Sequence, residues 1–267
     1  MVHHRGFEHS MSVNATHVRK YNMSKTTKFK HDNIVWHLNS AYANDIIQWL
    51  KNNFPAVYQD ENNILKKDTG TLVVHKDNIV LKKRTLRPNK KRWQFAFRPS
   101  QSKKTYHITQ KLTALNIPIA QTLGYATEYK NGERKADYLL SSYIQGNIEL
   151  RDILKGKYTA ISVEETITKM ANLIASFHLT NISNRDLKDS NIILNLESKE
   201  LLVIDYDGIS FRKNISQERA QKDIIPTFIS MRSHNLNRNL FELLLSEYNK
   251  NMPASKKVPT EIIDRFN

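Results

Sequence analysis

The run Ser183-Asn-Arg-Asp-Leu-Lys-Asp-Ser-Asn-Ile-Ile-Leu194, followed by Leu202-Val-Ile-Asp-Tyr-Asp-Gly208, constrains this chain more than any other feature. Asp186, Lys188 and Asn191 stand at short fixed spacings, and Asp205 follows an apolar stretch. Ile192-Ile-Leu194 and Leu201-Leu-Val-Ile204 read as two short buried strands joined by a turn at Glu197-Ser-Lys-Glu200, which would hold the polar residues on rigid backbone. A single Asp, Asn or Lys in a loop is usually a turn former or a solvated charge. Here residue type, order, spacing and flanking strands agree, a context that isolated motif matches lack.

These residue types answer the needs of one chemistry. Phosphoryl transfer asks for positioning and charge neutralisation more than for covalent help. A carboxylate must face the acceptor hydroxyl, orient it and take its proton, and Asp186 suits that role. Asn191 and Asp205 offer the hard oxygen donors that Mg2+ prefers, and Lys188 would reach the moving phosphate. The set resembles the catalytic loop and metal-binding turn of the protein-kinase-like fold. That resemblance implies ATP and Mg2+ as cofactors, Asp186 and Lys188 as catalytic residues, and Asn191 and Asp205 as metal ligands. It also implies an α+β fold in two lobes, with a small antiparallel sheet in the N-lobe and a shortened, mainly helical C-lobe.

Upstream, Ala41 to Leu50 has a helical apolar face closed by Pro55. Gly70-Thr-Leu-Val-Val-His-Lys-Asp77 and Asn78-Ile-Val-Leu-Lys82 read as a hairpin turning at Asp77-Asn78. Lys82 shares a strand face with Val80 and fits the place of the fold's nucleotide-phosphate lysine; Lys83 is one residue out of phase and faces the other side. Gly70 is the only glycine between Gly6 and Gly124, so phosphate cradling falls to Gly70 with Thr69 and Thr71. A helix is expected from Lys104 to Leu115. The corresponding kinase helix usually offers a Glu to the lysine, but no carboxylate occurs from 78 to 127, which leaves His107 or Gln110 to approach Lys82.

Asn131-Gly132 marks a second hairpin. After it, Tyr138-Leu-Leu-Ser-Ser-Tyr-Ile144 reads as strand and hinge, with the backbone of Ser142, Tyr143 and Ile144 as the expected adenine contact. A short helix, Ile148 to Leu154, precedes a longer one opened by a capping box at Ser162 and Glu165. Its stripe of Ile167, Met170, Leu173, Ile174 and Phe177 reads as core, and His178 as a structural end.

The order of these pieces is similar to one kinase-like family in particular, the bacterial lipopolysaccharide core kinases (WaaP-like, acting on Kdo or heptose). The resemblance rests on Leu115-Asn-Ile-Pro-Ile119, Asn184-Arg-Asp-Leu-Lys-Asp-Ser-Asn191 and Ile204-Asp-Tyr-Asp-Gly208, and covers about Gly70 to Tyr248. Relatives carry His where this chain has Asn184, a position that supports loop geometry and that Asn can fill through its own hydrogen bonds. The resemblance implies phosphorylation of a sugar in the inner-core glycolipid of lipopolysaccharide, at the cytoplasmic face of the inner membrane. A protein or small-molecule kinase of the same fold, or a membrane-associated pseudokinase, stays open as an alternative.

Charge bears on the partner. The chain holds 41 Lys and Arg against 26 Asp and Glu, a formal +15. Its acid-free stretch includes Lys82, Lys83, Arg84, Arg87, Lys90, Lys91, Arg92, Arg98, Lys103 and Lys104, interleaved with Trp93, Phe95 and Phe97. Cations beside aromatic rings suit an anionic membrane surface, so stretch 82–104 is expected to dock there. The same pattern can meet nucleic acid; the membrane reading is preferred and no nucleic-acid partner is expected. Without cysteine, disulfide and thiolate chemistry are excluded. No apolar run approaches a membrane span, and a soluble cytoplasmic protein, peripheral to the inner membrane, is expected. Residues 1–25 read as a disordered basic extension, and 26–267 as one kinase-like domain with an N-lobe of about 26–143 and a C-lobe of about 144–267.

Overall fold

Alternating burial builds the first layer. In β2 (Ile34–Asn39) Ile34, Trp36 and Leu38 are buried while Val35 faces out, and β1 (Thr26–His31) pairs with it antiparallel as a lysine-bearing edge. Exposed Lys28 and Lys30 blunt that edge against pairing with another chain. The computed structural model describes residues 25–86, 99–158 and 161–266. The expected amino-terminal extension and the core of the basic stretch, Arg87 to Arg98, lie outside them.

Five more strands complete the sheet: β3 (Ile64–Asp68), β4 (Thr71–Lys76), β5 (Ile79–Thr85), β6 (Thr122–Lys130) and β7 (Glu133–Ser142). The order is β1-β2-β6-β7-β5-β4-β3, with every neighbour antiparallel. Both expected hairpins form, at Asp77-Asn78 and Asn131-Gly132, and Asp77 and Asn131 adopt the left-handed backbone such turns use. One sheet face packs Trp36, Leu38, Leu81, Tyr138 and Leu140 against α1 (Ala43–Asn53), which adds Ile46, Trp49 and Leu50. Lys83 lies on this side, its Nζ 5.5 Å from the ring centroids of both Tyr58 and Tyr138, as its phase in the strand predicts.

The other sheet face is covered over β6 and β7 by α2 (Gln101–Ala114). This helix starts three residues before the expected Lys104, because Ser100 caps it by accepting the Lys103 amide at 3.1 Å. Ile108 and Leu112 of α2 reach into a second, larger core made chiefly by α4 (Val163–Leu179), α5 (Gln217–Ser233) and α6 (Arg238–Asn251). A short helix α3 (Leu150–Leu154) and two small sheets complete this part: β8 (Asn147–Glu149) with β10 (Ile192–Asn195) and β11 (Leu201–Val203), and β9 (Ile182–Asn184) with β12 (Ile209–Phe211). The expected stripe from Ile167 to Phe177 is buried here.

The sheet is larger than expected from the sequence. β1 carries only Phe29 as an apolar residue and β3 is largely exposed, so neither shows in its sequence the apolar alternation that marks a half-buried strand; β2 does. The cap at Ser162 forms as expected, its Oγ accepting the Glu165 amide at 3.0 Å. Ser162→Ala should lower stability by about 1 kcal/mol in chemical denaturation, because one amide at the start of α4 loses its partner.

Candidate active site

A cleft of about 680 Å³ lies between the sheet and the second core. Its roof comes from one face of three strands: Val73, then Val80, Lys82 and Arg84, then Leu139 and Ser141. Its floor holds Ser190, Asn191, Ile193, Ile204, Asp205, Tyr206 and Asp207. Lys82 crosses the cleft to Asp205, with Nζ 3.4 Å from Oδ2.

Asp186 and Lys188 stand beside the floor, joined to it through Asn191, which alone of the three lines the cleft. The Asn191 Nδ2 donates both to the Asp186 backbone oxygen and to its Oδ2, each at 2.8 Å, which leaves Asn191 Oδ1 as an acceptor. Lys188 Nζ lies 3.0 Å from the other Asp186 oxygen. Asn184, buried, accepts the Asp186 amide on its Oδ1 at 3.0 Å, the loop-supporting bond expected of it. Gly208 closes against the same turn, where its carbonyl accepts the Arg185 amide at 3.2 Å.

Helix α5 holds this loop from behind. Thr227 Oγ1 donates to the Leu187 carbonyl at 2.8 Å, and His234 at the helix end meets Asp189 at 2.6 Å. Arg219 Nε donates to Ser183 Oγ at 2.8 Å and its guanidinium lies 3.0 Å from buried Asp223. His178 bonds Tyr248 through Nδ1 at 2.8 Å with no exposure to the cleft, in keeping with a structural residue.

Several expected placements change. His107 does not approach Lys82; it packs against Tyr106 and Tyr125, and burial, with Lys103 and Lys111 nearby, holds its pKa below the ordinary value. Gln110 is not among the residues lining the cleft either. The α2 residues that line the cleft are Gln101, Ser102 and Thr105, and the first two precede the expected helix start. Gly70 sits at positive φ in a two-residue turn between β3 and β4, its carbonyl accepting the Thr85 amide at 2.7 Å, so no wide phosphate loop forms. Asp68 and Thr71 beside it line the cleft.

Ser142, Tyr143 and Ile144 do line the cleft at the end of β7. The Ser142 and Tyr143 amides are taken by the Gln121 and Asn78 carbonyls, each at 2.8 Å, so donation to a base would fall to Ile144.

Lys82 and Arg84 turn into the cleft and Lys83 lies on aromatic rings, which removes three members of stretch 82–104 from any outward-facing surface. Lys103 and Lys104 of that stretch are exposed on α2. No helix among the described residues is long and apolar enough to cross a membrane.

The profile of the lipopolysaccharide kinase (Kdo/WaaP) family matches residues 65–248. The chain belongs to that family. All of the site residues named from Lys82 to Asp207 fall inside the matched kinase-family region. A structure described as WaaP in complex with acyl carrier protein is similar in fold, with a TM-score of 0.51 at 13% identity, covering 78% of this chain and 87% of that one. The EKC/KEOPS complex subunit bud32 of Dictyostelium discoideum is 28% identical over 96 residues, 36% of this chain; the match spans 38% of that relative's length.

Within this kinase-family member, sequence reasoning missed Arg84, Gln101 and the part played by Asp207. Asp207 bonds Arg84 at 2.6 Å and the Gln101 side-chain amide at 2.9 Å. Burial works against its ionisation, but Arg84, Lys82 and Gln101 outweigh burial and hold its carboxyl below the usual range. Arg84 was legible from strand phase alone, two residues beyond Lys82 on the same face. Burial keeps the Tyr206 hydroxyl protonated, with the Asp205 charge adding to the effect, and it donates to the Ala120 carbonyl at 2.6 Å.

Proposed function

We propose that this chain is a phosphotransferase that moves the γ-phosphoryl group of ATP to a hydroxyl of a Kdo or heptose in the inner-core glycolipid of lipopolysaccharide, at the cytoplasmic face of the inner membrane. One observation carries the chemistry: Lys82, Asn191 and Asp205 line one cleft from three separate segments, and Asn191 bonds Asp186, which in turn pairs with Lys188. Asp186 orients the acceptor hydroxyl and takes its proton. Lys188, paired to Asp186, would steady the charge of the transferring phosphate. Lys82 exchanges its bond to Asp205 for nucleotide phosphate oxygens, and the end of β7 at Ser142 to Ile144 receives the base.

The donor set fits magnesium. Asn191 presents an amide oxygen freed by its own Nδ2 bonds, and Asp205 presents a carboxylate; these are the hard oxygen ligands that ion takes while keeping several waters. When bound, the ion would neutralise charge on the phosphates. The sugar acceptor rests on the family to which the chain belongs. Membrane docking rests on the net charge of +15 and on the exposed lysines of α2, and its affinity for anionic vesicles should fall as salt rises.

Incubation with γ-labelled ATP, Mg2+ and purified inner-core lipopolysaccharide should place label in the glycolipid, and Asp205→Asn should abolish it. Label in a peptide or a free metabolite instead would move the acceptor class; no transfer by the wild-type chain to any acceptor would overturn the reading.

A further inference from the structure

The helix that covers the cleft has no carboxylate, since none occurs from 78 to 127, yet it must be set against the metal-binding turn. Asp207 is placed to do this. Its two oxygens go to two different elements of the upper layer: Oδ2 to Arg84 on β5 at 2.6 Å and Oδ1 to the Gln101 side chain at the first turn of α2 at 2.9 Å. Its backbone amide donates to Asp205 Oδ1 at 3.3 Å, so the same residue also orients the candidate metal ligand. The first turn of α2 is pinned a second time, by its Gln101 amide donating to Asp137 on β7 at 3.1 Å.

We propose that Arg84, Asp207 and Gln101 form an interlobe clasp that replaces the missing helix carboxylate: a carboxylate on the lower layer positions α2, β5 and Asp205 together. The usual polarity is reversed, with the acid on the metal-binding turn and the basic and amide partners on the sheet and helix. Arg84 and Asp207 are each about one-third exposed, at 33% and 35%, so the clasp contributes little to global stability as an ion pair. Its effect is geometric. Arg84 and Asp207 are 123 residues apart in sequence, and their contact sets how closely Lys82, two residues before Arg84, approaches Asp205. Asp207 is thus a positioning residue.

The inference rests on the phosphotransfer reading, and its test has an arm that does not. The chain has no cysteine, so spin labels on Lys104→Cys in α2 and Ser198→Cys in the turn between β10 and β11, both exposed, report the distance between the two layers without background labelling. In the full chain, Asp207→Asn and Arg84→Met should each broaden that distance distribution to the same extent, and the double variant should broaden it no further. Turnover should fall by about 100-fold in each, the scale of a 1 Å misplacement, and the two losses should not add. Their thermal midpoints should stay close to wild type.

A distribution that stays narrow in Asp207→Asn overturns the clasp. So does an Arg84→Met variant at wild-type turnover beside an Asp207→Asn variant whose Mg2+ requirement has risen, because Asp207 would then be a metal ligand. Wild-type chain without turnover would count against the phosphotransfer reading alone, and the spin-label result would still decide the clasp.

Discussion

Asp186→Ala should lower phosphate transfer by about 100- to 10,000-fold, the range over which a positioned general base contributes. The structure makes the expectation more specific than loss of a base. One Asp186 oxygen accepts from Asn191 Nδ2 at 2.8 Å and the other pairs with Lys188 at 3.0 Å. Truncation therefore frees Lys188 and removes one of the two bonds that fix the Asn191 side-chain amide, whose oxygen would hold a cation. Asp186→Asn keeps an oxygen for Asn191 but cannot take the proton. Initial rates over a Mg2+ series separate the two effects: the Asn variant should lose turnover at an unchanged Mg2+ requirement, and the Ala variant should lose both. An Ala variant within about threefold of wild type would show that Asp186 is not the base, since that loss lies far below the range for such a group.

Gly208→Ala should cost the chain about 100-fold in turnover while leaving it folded. A Cβ there would stand 2.8 Å from the Asp186 amide nitrogen, 2.9 Å from Asn184 Oδ1 and 2.9 Å from Asp186 Cβ. These atoms belong to the loop that carries the candidate base, and β9 and β12 hold them in register, with Ile209 opposite Asn184. The loop must move, and a shift approaching 1 Å costs about 100-fold in turnover. Stability should fall by only about 1–3 kcal/mol, the usual cost of one added methyl group. Gly124→Ala is the matched control. Its Cβ, on β6, would meet the His37 carbonyl and Leu38 Cδ2, each at 2.8 Å, and no atom of the Asn184-to-Asn191 loop is among its nearest neighbours. That variant should lose stability in denaturant and keep its turnover per folded molecule. Equal loss of activity in the two would remove the special claim on Gly208.

The basic stretch shows why charge along a sequence is a weak guide to a surface. Lys82, Lys83 and Arg84 are adjacent, and a strand sends their side chains alternately to opposite faces. Two enter the cleft and one covers Tyr58 and Tyr138, so none of the three is a member of an outward patch. The same alternation, applied to Lys82 and Arg84, would have placed Arg84 in the cleft. The start of α2 was harder to read: the expectation began the helix at Lys104, whereas Ser100 caps it and Gln101 is its first residue. His107 was expected near the lysine because no carboxylate occurs from 78 to 127, but Gln101, Ser102 and Thr105 are the α2 residues that line the cleft.

By itself the sequence determined the short-range order: the loop from Asn184 to Asn191, the strands on either side of the Glu197-to-Glu200 turn, the hairpins at Asp77-Asn78 and Asn131-Gly132, and the caps and stripe of α4. These follow from backbone preference and apolar period over a few residues, which is information that neighbouring positions carry among themselves. Tertiary structure alone decided which charges meet across the cleft. The Lys82–Asp205 and Arg84–Asp207 contacts each join residues 123 apart, and Gln101–Asp207 joins residues 106 apart. No local preference encodes such pairs. They exist because apolar burial packs a seven-stranded sheet and one bridging helix over a helical core, and that packing brings the two sides of the cleft within hydrogen-bond distance.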